Sequence, residues 1–75
     1  MLLKNKLTHE SLELSLQEFK IRFRKELQVA IESYIKTEKA KPYFRLHEPS
    51  EDDFYFDLRW NFNNFSNSVW FIERM

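Results

Sequence analysis

Residues 53–62, Asp53-Phe-Tyr-Phe-Asp-Leu-Arg-Trp-Asn-Phe62, decide how the rest of the chain is read. Phe54, Phe56, Leu58, Trp60 and Phe62 take every second position, and Asp53, Tyr55, Asp57, Arg59 and Asn61 stand between them. Side chains alternate across a strand with a period of two, so this spacing predicts a β-strand with one apolar face. That face is expected to be core. Phe56→Ala should then cost about 3–5 kcal/mol, the usual penalty for emptying a buried aromatic site.

Turn chemistry flanks the stretch. Glu48-Pro-Ser-Glu-Asp52 combines a proline with acids. Asn63-Asn-Phe-Ser-Asn-Ser68 is rich in asparagine, which adopts backbone shapes otherwise left to glycine. Tyr43-Phe-Arg-Leu-His47 predicts a strand at about 43–47, and Val69-Trp-Phe-Ile72 another at about 68–73, apolar on both faces.

Upstream the period changes. No glycine or proline interrupts residues 1–41. Leu12, Leu16, Phe19, Phe23, Leu27, Ala30 and Tyr34 recur at steps of four and three. At about 100° per residue they fall within about 80° of one another, a helical stripe. The spacing predicts one helix over about 9–40, with Thr8 as N-cap and a Leu7–Leu12 staple at its start. Lys36, Lys39 and Lys41 suit its negative end, and Pro42 stops it. Ser11-Leu-Glu-Leu-Ser-Leu16 also alternates as a strand does. A second reading therefore places a short strand over 11–16 and starts the helix at about 17, although the longer helix is preferred.

Together these elements predict an α+β domain: one long N-terminal helix packed on a three-stranded antiparallel meander. Seventy-five residues make one domain and bury only about 60% of their unfolded surface. With no cysteine there is no disulfide or thiolate metal site to compensate. The thirteen aromatic residues supply the alternative, dense ring packing. A helix of about 30 residues spans roughly 45 Å, and a ten-residue strand roughly 33 Å. The helix must therefore overhang the sheet, bend, or pack on another chain. Together with the two-faced Val69–Ile72 strand, this points to a homodimer.

Composition excludes several chemistries. There is no glycine, so no Gly-rich phosphate cradle or dinucleotide fingerprint exists. His47 and Glu48 precede Glu51, Asp52 and Asp53, but no second histidine is near, so no metal or other cofactor is expected. No serine sits in a nucleophile motif, and the paired carboxylates fall in a solvated turn. The chain is not expected to be an enzyme. The opening residues do not follow a signal-peptide pattern, and no stretch approaches the roughly 20 apolar residues of a membrane span. A cytoplasmic location is expected.

Two surfaces remain for function. Glu48, Glu51, Asp52, Asp53 and Asp57 place five negative charges within ten residues, a patch complementary to a basic surface on another protein. Tyr43, Tyr55 and Trp70 should form an aromatic sheet face that contacts a partner or a second copy. The expected function is a small non-enzymatic modulator or inhibitor that binds another protein. Glycine-poor, Lys/Asn-rich usage suits an AT-rich gene, so an anti-defence, antitoxin or immunity protein of a phage or mobile element is the concrete form, acting in the host cytoplasm. The alternative is a small dimeric nucleic-acid-binding regulator using Lys20, Arg22, Arg24 and Lys25. Against it, net charge is zero and Glu18 and Glu26 interrupt the basic cluster.

Overall fold

The computed structural model describes residues 1–41 and 48–75. Among them the chain forms β1 (Leu2–Asn5), β2 (Ser11–Glu13), α1 (Leu16–Arg22), α2 (Arg24–Lys39), α3 (Glu51–Phe56), α4 (Leu58–Phe65) and β3 (Trp70–Arg74). The class is α+β with a three-stranded antiparallel sheet, as expected. The assignment of segments to that class is different.

Residues 1–15 are mostly a hairpin, not helix. Leu2, Leu3 and Lys4 face Glu13, Leu12 and Ser11 across β1 and β2. The turn is built without glycine. Buried Asn5 accepts at Oδ1 from the N–H groups of Leu7 (2.8 Å) and Thr8 (3.0 Å), and His9 takes the left-handed φ of 65°. That conformation costs a non-glycine residue about 1–2 kcal/mol, which the side-chain bonds offset. Thr8 is thus a turn residue rather than an N-cap. Leu7 is 75% exposed and staples nothing.

The helix starts where Ser15 caps it. Ser15 Oγ accepts from the Glu18 N–H at 3.1 Å, and the Glu18 carboxylate accepts from the Ser15 N–H at 3.0 Å, a reciprocal capping box. The expected single helix over 9–40 is instead two, meeting at Phe23 (φ −108°, ψ 31°). Hydrogen bonds from Phe23 to the Phe19 carbonyl and from Leu27 to the Phe23 carbonyl carry the ladder through the bend. At the bend the rings of Phe19 and Phe23 stack at 5.3 Å, and both meet Phe62. The helical segment is thus interrupted at Phe23, and α2 packs on α3 and α4 rather than on the sheet.

Residues 53–62 are helical, not a strand. Ser50 caps α3 through a second box: its Oγ accepts from the Asp53 N–H (3.3 Å), and the Asp53 carboxylate accepts from the Ser50 N–H (2.9 Å). Asp57 (φ −130°, ψ 61°) separates α3 from α4. Across this break the buried Asn61 amide donates to the Phe54 carbonyl at 2.9 Å. Phe54, Leu58 and Phe62 stand four apart and are buried, whereas Phe56 and Trp60 face solvent. A period near four has replaced the apparent period of two.

The sheet order is β2-β1-β3, so the expected meander is corrected too: the central strand is β1. Lys4 and Asn5 pair with Phe71 and Trp70, and the register slips between Leu2 and Leu3. β3 lies where the third strand was expected, whereas the strand expected at 43–47 falls outside the described residues. α4 packs beside β3, α2 against α4, and α3 against α2. Leu3 and Ile72 from the sheet join Phe19, Phe54 and Phe62 in one core. Burying each of these large side chains contributes about 1.5–3 kcal/mol.

Candidate protein-binding surface

The acidic residues have local duties first. Glu51, Asp52 and Asp53 form the first turn of α3, where negative charge offsets the positive end of the helix. Asp53 is occupied with Ser50, also accepting from its hydroxyl at 3.2 Å. Glu48 turns towards Lys39, its carboxylate 3.7 Å from Nζ. Asp57 sits at the far end of α3, in the break. Glu48, Glu51, Asp52 and Asp53 thus gather around the start of α3, and Asp57 stands at its other end. Glu51 and Asp52 are exposed on the first turn of α3.

The expected aromatic sheet face does not assemble. Tyr43 lies outside the described residues. Trp70 is half-buried on β3, its ring edge-on to Phe23 at 6.1 Å. Tyr55 is not on a strand. It rides on α3, edge-on to Phe54 at 5.4 Å, with Lys20 Nζ 4.5 Å from its ring centroid. Burial pushes the Tyr55 phenol up, and the neighbouring Glu51 charge pushes it further.

A different aromatic pair is exposed instead. Phe56 is 93% exposed and Trp60 56% exposed. Trp60 still rests its edge on Phe65 at 6.1 Å, whereas Phe56 has no ring contact among the described residues. Asp52 stands four residues before Phe56 and is also exposed. Acid and ring thus lie one turn apart on α3. Asp57, Arg59 and Asn64 border a shallow cleft beside Trp60, about 390 Å³ in volume. Phe56 and Trp60 were expected in the core. The signal that would have placed them outside is the spacing of four among Phe54, Leu58 and Phe62.

The basic cluster lies on helix, so Lys20, Arg22, Arg24 and Lys25 do not share the single face a strand would give them. Among the described residues no three His, Asp or Glu side chains come together as a metal site, and no helix is long and apolar enough to cross a membrane. No family model, no curated protein and no solved structure matches this chain. What defines it is therefore its own architecture: an α+β domain that turns two large rings outward from the α3–α4 segment.

Proposed function

We propose that this chain is a non-enzymatic modulator or inhibitor that acts by binding another protein, with Phe56 and Trp60 as its anchors. The observation that carries the reading is Phe56, 93% exposed beside a core that buries Phe54 completely. A small domain gains no stability from a solvated phenylalanine, whereas aromatic rings dominate the energetics of interfaces. Asp52 and Glu51 sit at the acidic end of the same helix, so the complementary partner offers an apolar pocket rimmed by basic groups. The two anchors flank the Asp57 break, one from the end of α3 and one from the first turn of α4, and together they fit an apolar groove.

The test is affinity capture of the tagged chain from an extract of its own cell, with half of the sample digested by nuclease. The expected result is a protein retained after digestion and lost with Phe56→Ala and with Trp60→Ala, while both variants keep the wild-type circular dichroism. Truncating an interface anchor typically costs 2 kcal/mol or more, about a thirtyfold loss in affinity. Capture of nucleic acid alone, abolished by digestion, would overturn the proposal in favour of a nucleic-acid-binding regulator.

A further inference from the structure

A second surface lies on the other side of α3. A groove of about 470 Å³ runs between the α1–α2 segment and α3, with Leu27 and Ile31 among its lining residues. Lys20 and Arg24 line it at one end. Glu32 lines it eight residues beyond Arg24 on α2, about 12 Å further along the helix axis. Tyr55 and Glu51 line it from α3.

The charges in this groove are not used up by the fold. The Lys20 ammonium faces the Tyr55 ring rather than a carboxylate. Among the described residues neither Lys20 nor Arg24 has a carboxylate within ion-pair distance. Glu32 accepts only a long bond from Gln28, at 3.4 Å. The groove thus holds apolar side chains between a positive end and a negative end, each available to a ligand. We infer that it binds an extended peptide segment of a partner protein that carries one acidic and one basic side chain about four residues apart, with an apolar side chain midway between them on the same face. Four residues of extended chain span about 13 Å, which matches the separation of the two ends. Burial of the apolar side chain supplies affinity, and the two charge pairs fix register and select the partner. This inference stands apart from the Phe56–Trp60 surface and does not depend on it.

Three capped pentapeptides test it, titrated into the isotope-labelled chain and followed by amide chemical shifts. Acetyl-Asp-Ala-Leu-Ala-Lys-amide, whose leucine shares a face with both charges, is expected to bind with saturable shifts centred on Leu27 and Ile31. It should bind about tenfold more tightly than Acetyl-Lys-Ala-Leu-Ala-Lys-amide or Acetyl-Asp-Ala-Leu-Ala-Asp-amide, because each control trades one exposed charge pair for one repulsion. Lys20→Glu combined with Arg24→Glu should reverse the order, so that the peptide with two lysines binds best. Both positions are exposed, so circular dichroism should stay unchanged. Phe56→Ala should leave peptide binding as it was. Equal binding of all three peptides, no saturable shift, or an order unmoved by the charge reversal would each overturn the inference. Loss of peptide binding in Phe56→Ala would also overturn it, while leaving the Phe56–Trp60 surface standing. Loss of the captured protein in Phe56→Ala, with peptide binding intact, would support two separate surfaces.

Discussion

Phe54 and Phe56 stand two positions apart and answer to different forces. Phe54 is fully buried, with the ring of Tyr34 at 5.8 Å and that of Tyr55 at 5.4 Å. Phe54→Ala should therefore cost about 3–5 kcal/mol, enough to unfold most of the population of so small a domain. Phe56→Ala should change stability by about 0.5 kcal/mol or less, because almost none of its surface leaves water on folding. Urea melts of the two variants, side by side, check both values. Comparable losses would return Phe56 to the core. The alternating pattern hid this difference because positions two apart in a short window also contain a subset four apart. Periodicity alone does not separate the two over ten residues. Ser50 followed three residues later by Asp53 is the local signal that favours helix, and its counterpart is Ser15 with Glu18.

At the scale of elements, the caps and the sheet edge do the organising. Ser15→Ala and Ser50→Ala should each cost about 1 kcal/mol, read from thermal melts. The Ser15 box also has a pH signature. Hydrogen bonds from the Ser15 backbone and hydroxyl hold the Glu18 carboxyl below its ordinary range. A depressed carboxyl stabilises the fold above its unfolded pKa, and that contribution disappears as pH falls through the folded value. Melts at descending pH below about 4.5 should therefore fall less steeply for Ser15→Ala than for wild type. β3 poses a different problem, since an edge strand exposes unpaired backbone groups. Here Asn63 on α4 takes the place of a neighbouring strand: its amide donates to the Ile72 carbonyl at 2.9 Å and accepts from the Ile72 N–H at 2.7 Å. Asn63→Ala should cost about 1–3 kcal/mol by stranding these groups, because Ile72 is fully buried. It should also raise light scattering at high concentration. The helical stripe from Phe19 to Tyr34 was legible in the sequence because it keeps one period over its length, and strand β3 because a short, wholly apolar run follows an asparagine-rich turn. β1 was not, since four residues with adjacent leucines carry no period, and its turn depends on an asparagine side chain rather than on glycine or proline.

For the whole molecule, the two features that pointed to a dimer take a different form once the chain is folded. The helix that seemed too long gives up its first residues to a hairpin and bends at Phe23. On one face of the two-faced strand Ile72 is buried and Trp70 half-buried against Phe23, whereas Val69 at its start stays 43% exposed. Most of the aromatic content is thus spent inside one chain, as a domain without disulfides requires. One of these rings also sets the alkaline limit of the fold. Tyr55 is half-buried, and burial together with Glu51 raises its phenol above the ordinary value of 10.0. A group with a raised folded pKa contributes fully below its unfolded pKa and loses that contribution as pH rises through the folded one. The unfolded chain gives up this proton first, so stability should fall as pH passes about 10. Tyr55→Phe keeps the ring against Phe54 and beneath Lys20 but removes the ionising group. Urea midpoints measured between about pH 9 and 11 should therefore decline less for Tyr55→Phe than for wild type, while the two coincide near neutrality. An equal decline in both would place the alkaline loss elsewhere in the fold.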